Sequence, residues 1–197
     1  MTVSVMPVTG AAVQALIPAL AKLRITVFRE WPYLYDGTED YEQKYLQVYV
    51  DSPRAMIAVA TDGDDVVGAS TCLPMADAGS EMREPLAAAG FDPAKIFYFG
   101  ESLLLPAYRG RGVGVEFFKQ REVHAVADGV CDQALFYAVR RPADHLMRPA
   151  DAVSLHEFWH HRGYAPLKDV YCQMAWKQVG EGEVMNTLDA WMKRLRS

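Results

Sequence analysis

The chain has 197 residues, 51% of them hydrophobic, enough to bury one substantial core, and a single domain is the default at that length. Its formal charge is -5, with 20 Lys+Arg against 25 Asp+Glu and no long block of like charge, which argues against a nucleic-acid partner and fits solubility or a cationic substrate. Cys72, Cys131 and Cys172 lack CxxC spacing and indicate neither a disulfide framework nor a zinc site, so a cytoplasmic location is expected; no signal-peptide pattern and no bilayer-spanning stretch is read.

In chain order, Thr2 to Val8 reads as a strand and Ala11 to Arg29 as an apolar helix with a kink at Pro18. A turn-rich aromatic loop follows, Trp31-Pro32-Tyr33-Leu34-Tyr35-Asp36-Gly37. Thr38 then caps a second helix with an acidic first turn, on which Tyr41, Tyr45, Val48 and Tyr49 share a face. Ala55 to Thr61 and Val66 to Leu73 form a hairpin about Asp62-Gly63-Asp64-Asp65, where Asp-Gly supplies the positive φ of a tight turn.

A polar, mobile connection is expected from Ala76 to Ala94. Ile96 to Leu105 is the most strand-like stretch, giving way to a turn at Pro106. Gly112 to Ala127 reads as a helix, Ala134 to Arg140 as a buried strand, Ser154 to Arg162 as a helix closed by Gly163, and Val170 to Lys177 as a late strand. Met185, Leu188, Met192 and Leu195 then line one side of a terminal helix, so 182–197 reads as a helical extension. With strands and helices mixed from end to end and at least one antiparallel pair, the class is a mixed-sheet α/β or α+β domain over 1–197.

Chemistry concentrates where the strongest strand meets a helix, at Tyr108-Arg109-Gly110-Arg111-Gly112-Val113-Gly114. Alternating glycines let the backbone turn sharply and approach a ligand, while the helix start offers unpaired N–H groups to a phosphate or pyrophosphate. Arg109 and Arg111 add charge. A nucleoside-triphosphatase loop would end in Gly-Lys-Ser/Thr, but Gly114 is followed by Val115-Glu116. A dinucleotide fingerprint counted from Gly110 would need glycine at Val115. The remaining pattern is Arg/Gln-x-x-Gly-x-Gly/Ala, met by Arg109, Gly112 and Gly114 after Leu103-Leu104-Leu105-Pro106.

On these residues, with Val66-Val67-Gly68 and the late Phe158-Trp159-His160-His161-Arg162-Gly163-Tyr164, the sequence resembles the GNAT superfamily of N-acyltransferases from about Val3 to Lys177. The resemblance implies a mostly antiparallel twisted sheet flanked by helices, with fourth and fifth strands splayed apart. It also implies acetyl-CoA as cofactor, without a metal. Pantetheine would pair with the backbone of Leu103, Leu104 and Leu105, and pyrophosphate would lie over the amides of Arg109, Gly110, Arg111, Gly112, Val113 and Gly114. The reaction implied is direct acetyl transfer to a primary amine, of a small molecule more than of a peptide.

An alkylammonium of pKa about 10.4 is neutral in only roughly 0.04% of molecules at pH 7, a penalty of about 4.6 kcal/mol, so a proton acceptor is needed. The resemblance points to Glu101, and period-2 alternation sets it on one face with Phe97, Phe99, Leu103 and Leu105. Trp159 stands where the family often has a tyrosine acid and Ala152 where it often has an asparagine, which leaves Tyr137, Tyr164 or Tyr171 as substitutes or the acid step absent. Each of those three tyrosines also reads as core.

His156-Glu157-Phe158-Trp159-His160 matches the letters of a zinc protease motif, but no downstream ligand is apparent. The resemblance places the acceptor near Trp31 to Asp36, where Trp31, Tyr35 and Asp36 could hold a cation, or where the aromatics simply close the core. Arg140, Arg141 and Arg148 would favour an acidic acceptor instead. A catalytically silent acyl-CoA-binding domain is the rival reading, and the terminal helix offers a face for a homodimer. No nucleic-acid or membrane partner is expected.

Overall fold

The structure is a computed structural model and describes residues 3–195. Seven strands form one sheet: β1 (Ser4–Thr9), β2 (Met56–Asp62), β3 (Asp65–Pro74), β4 (Ile96–Leu104), β5 (Gln133–Val139), β6 (Ala165–Lys177) and β7 (Glu183–Arg194), in the order β1-β2-β3-β4-β5-β7-β6. Every neighbouring pair is antiparallel except β4 and β5, which are parallel and therefore need a crossover helix between them. The helices are α1 (Val13–Phe28), α2 (Glu39–Asp51), α3 (Ser80–Ala88), α4 (Val113–Asp128) and α5 (His156–His160).

The alternation of the strands divides the core in two. Ile57 and Val59 on β2, with Ile96, Tyr98 and Leu103 on β4, face α1, α2 and α3; Met56, Ala58, Ala60, Phe97 and Phe99 face α4. Helix α1 buries Val13, Ile17, Leu20, Ala21, Leu23, Arg24 and Phe28, a stripe at helical spacing that contains one cation. On α4, Phe117 and Phe118 pack on Phe99, Phe136 and Tyr164.

Four expectations are corrected. The terminal segment is strand β7, not a helix; its buried Asn186, Leu188 and Ala190 alternate, and it fills the place between β5 and β6. Residues 1–2 and 196–197, the ends of the expected first strand and of the expected extension, lie outside the described residues. The stretch Ala76 to Ala94 contains α3, whose Met82 and Leu86 are buried in the first core. On α2 the buried residues are Glu42, Leu46 and Tyr49, with Tyr41 half exposed, and the Thr38 side chain makes no capping bond. Gly10–Phe28 is long and apolar enough to cross a membrane by length and composition, although α1 here packs against α2 and the sheet.

Candidate active site

Two interruptions in the sheet meet on β4. The first is a seam: β4 pairs with β5 only from Ile96↔Gln133 to Tyr98↔Leu135, so beyond Tyr98 the β5 side of β4 has no partner strand. The second is a bulge: between Ser70 and Cys72 of β3 the partner steps from Ser102 to Phe99, so Gly100 and Glu101 together oppose Thr71.

The bulge corrects the expected face of Glu101. One inserted residue breaks the period of two, so Phe97 and Phe99 point to α4 while Glu101 points with Tyr98 and Leu103 toward α1 and α2. There the carboxylate is only 4% exposed. Arg24 Nη1 donates to its Oε1, while Oε2 accepts from the Tyr49 hydroxyl at 2.8 Å and from the Thr71 hydroxyl. Thr71 Oγ1 in turn accepts from the Glu101 N–H at 2.9 Å, fixing the bulge. Tyr49 reaches this point because residue 100 is glycine: a Cβ there would lie 2.0 Å from the Tyr49 hydroxyl.

Arg24 Nε also donates to Glu42, which is fully buried and has one oxygen, Oε1, without a partner. The Arg24 guanidinium lies over the Tyr45 ring, 4.2 Å from its centroid. Burial opposes the Arg24 charge, yet Glu101, Tyr45 and Glu42 outweigh it and hold the guanidinium above its ordinary range. On the opposite face of β4, buried Arg121 sits between Phe99 and Phe118, with Nη1 3.5 Å from the Glu101 carbonyl and Nη2 unpartnered. Burial lowers its pKa. Two carboxylates and two guanidiniums thus straddle the bulge and balance in charge.

Leu103 and Leu104 close β4 against Ala69 and Gly68, and the Leu105 N–H bonds Val67 O at 3.0 Å. The Leu105 N–H is thus directed to β3, whereas the Leu104 carbonyl accepts from Arg109 Nε at 3.2 Å, and no strand pairs with the seam side. The turn then enters α4 through Gly110 at φ 75° and Gly112 at φ 84°, left-handed values that only glycine adopts readily. The first amides of α4 with an acceptor are those of Val115 and Glu116, both on Gly112 O; the amides from Gly110 to Gly114 have none among the described residues. Five successive free N–H groups at a helix start suit a pyrophosphate. Arg111 lies 5.4 Å from the Tyr108 ring centroid, while Arg109 is engaged by Leu104 O and by Glu30.

The expected acceptor loop is held by the far ends of the sheet. Arg141 donates to Pro32 O and Tyr33 O, both at 2.7 Å, and Trp176 Nε1 to Tyr33 O at 3.2 Å. Trp31 meets His145 edge-on at 5.3 Å, Tyr35 bridges to Gln178, and Asp36 is paired with Arg29 and Lys177, which keep its pKa low. Arg140 is paired with Asp189, and Arg148 Nη1 donates to Ala143 O.

Among the tyrosines proposed as acids, Tyr137 donates to Met82 O, Tyr164 to Glu122, and Tyr171 is partly exposed beneath Arg140. Trp159 is packed on Phe136 and Trp191. No group of three His, Cys, Asp or Glu among the described residues is arranged to hold a metal.

The sequence reading missed Arg24, Glu42, Tyr49, Thr71 and Arg121. A lone arginine in the apolar stripe of α1 was the available signal, because such a charge is buried only with partners.

No protein-family model and no curated protein matches the sequence. Solved structures do match in fold. A GCN5-related N-acetyltransferase from Kribbella flavida is 18% identical, with 98% of each chain covered and a TM-score of 0.58. Arabidopsis thaliana NAA60, solved with a bisubstrate analogue, is 10% identical over 98% of each chain at 0.60. The Thermoplasma acidophilum PaiA N-acetyltransferase, solved with coenzyme A, is 10% identical over 98% of this chain and 99% of its own at 0.54. At these identities the likeness concerns architecture, and in architecture the chain has the fold of the GNAT acetyltransferases.

Proposed function

We propose that the protein is an acetyl-CoA-dependent N-acetyltransferase acting on a primary amine of a small molecule in the cytoplasm. The observation that carries this reading is the coincidence of the seam, the bulge and the free amides on one strand-to-helix unit. Past Tyr98 the seam side of β4, down to Leu103, Leu104 and Leu105, has no partner strand and is open to an extended pantetheine that would displace Arg109 from the Leu104 carbonyl. The free amides of Gly110 to Gly114 lie at a helix start suited to its pyrophosphate, while the Arg109 amide is taken by Pro106 O. When bound, the thioester supplies the carbonyl carbon that the amine attacks.

Glu101 receives the amine's proton in this reading, since it is the carboxylate at the bulge and an amine at pH 7 must lose one. Trp31, Tyr35 and Asp36 border the acceptor. Of the arginines that would favour an acidic acceptor, Arg140 is neutralised by Asp189, whereas Arg141 and Arg148 donate to backbone carbonyls and keep their charge. The cysteines at 72, 131 and 172 are free, as a reducing compartment allows.

Trp159 favours a second reading, an acyl-CoA-binding domain without turnover, since indole cannot protonate a departing thiolate. The test is thiol release from acetyl-CoA across a panel of amines, with wild type and Glu101→Gln. We expect both proteins to bind acetyl-CoA and the variant to turn over at least tenfold more slowly on the best amine. Equal rates would remove Glu101 as proton acceptor. Binding without turnover on any amine would establish the second reading.

A further inference from the structure

We infer that Glu30 holds a second positive charge of the acceptor, so that a long diamine is preferred over an alkylamine with one charge; the inference rests on the acetyl-transfer reading above. A cation of the protein itself stands at that place in this structure. Arg109 Nη2 donates to Glu30 Oε2 at 2.8 Å, and Arg109 Nε donates to Leu104 O at 3.2 Å. One guanidinium thus joins the carboxylate at the head of the acceptor loop to the end of β4.

The Leu104 carbonyl belongs to the open side of that strand. In an antiparallel ladder, successive residues turn their N–H and C=O alternately toward the partner and away from it. The Leu105 N–H bonds Val67 O on β3, so Leu104, opposite Gly68, directs its carbonyl to the seam. A pantetheine lying along the seam competes with Arg109 for this carbonyl, and a pyrophosphate on the amides of Gly110 to Gly114 attracts the guanidinium. Both draw Arg109 away from Glu30. The side chains of Arg109 and Glu30 are 48% and 44% exposed, and an exposed ion pair exchanges one cation for another at little cost.

What is left is a carboxylate that solvent reaches, carried on a fixed backbone. The Glu30 N–H bonds Val27 O at 3.3 Å, and Glu30 O accepts from the Leu34 N–H at 3.0 Å. Asp36, the carboxylate expected to hold a cation, is already paired with Arg29 and Lys177. Leu104 follows Glu101 on β4 by about 10 Å of strand, at about 3.3 Å per residue. An acceptor with one nitrogen at the bulge and a second at Glu30 therefore carries its charges about 10 Å apart, the reach of a long diamine.

Steady-state kinetics at saturating acetyl-CoA test this by comparing diaminooctane with octylamine, equal in length and differing in the second charge. Wild type and Glu30→Gln are measured together, with calorimetric acetyl-CoA binding to each. We expect wild-type kcat/KM to be at least tenfold higher for the diamine. In Glu30→Gln that ratio should fall to within twofold of one, through a rise in the diamine KM with kcat little changed and with acetyl-CoA affinity not reduced. A carboxylate that only braces the loop would weaken both amines alike and keep the ratio, which overturns the inference. A diamine KM within twofold of wild type in the variant, or wild-type turnover confined to amines with one charge, overturns it while leaving acetyl transfer intact. Absence of wild-type turnover on every amine overturns the transfer reading and the inference together.

Discussion

Replacing Arg24 with methionine should be among the most destabilising single changes in the protein. Methionine keeps the length and the apolar contacts with Phe28 and Tyr45 but removes the one cation shared by Glu42 and Glu101. Those carboxylates are fully buried and 4% exposed, and a buried pair broken from one side costs about 3–5 kcal/mol. Folding free energies total about 5–15 kcal/mol, so roughly a third of the stability is at stake. At about 2–4 °C per kcal/mol for a chain of this size, melting should fall by about 6–20 °C.

Urea unfolding at pH 7 gives the free energy and calorimetry the melting temperature. The double variant Arg24→Met, Glu42→Gln removes one of the stranded charges and should recover at least about 1 kcal/mol, within the usual coupling of residues in contact. A loss below about 1 kcal/mol for the single variant, or no recovery in the double, would refute the view that Arg24 neutralises this cluster.

Two further outcomes are expected. Gly112→Asp puts a side chain at φ 84° and a negative charge beside the free amides of α4, so acetyl-CoA affinity measured by calorimetry should fall at least a hundredfold; retained affinity would mean that the pyrophosphate lies elsewhere. Arg54 binds Asp128 through both carboxylate oxygens, tying the chain before β2 to the end of α4, and these bonds lower the Asp128 pKa. A depressed carboxylate stabilises the fold above its unfolded pKa of about 3.9 and loses that contribution as pH falls through the lower folded value. Wild type should therefore outlast Asp128→Asn in urea at pH 7, with the gap closing below about pH 3.9; a gap independent of pH would assign the effect to packing.

The glycine turn into α4 was legible because its signal is local: alternating glycines between an apolar strand and an apolar helix leave few other structures. The buried polar cluster around Glu101 was less so, because it is assembled from α1, α2, β3 and β4, elements far apart in the chain. The place of Glu101 on a strand was read, but its face was not, since a bulge has no signature in period-2 counting. The last strand misled for a different reason. Met185, Leu188, Met192 and Leu195 fit a helix, while the inward-facing Asn186 and Ala190 give no apolar signal; pairing with β5 and β6 decided the conformation. Pro85 and the polar residues around it likewise concealed α3, which is stabilised by the two apolar side chains it buries.

Within the sheet only three residue pairs join β4 to β5, so the β1–β4 and β5-β7-β6 leaves meet along a short spine. The amides of β4 past Tyr98 on that side, although central in the strand order, are chemically those of an edge. An extended ligand that bonds to them would act as a missing strand, and its binding energy would count directly toward the cohesion of the two leaves. Amide exchange along Phe99 to Leu105 should accordingly slow when such a ligand binds. The fold would then be most rigid while the reacting groups are held together and loosest between turnovers.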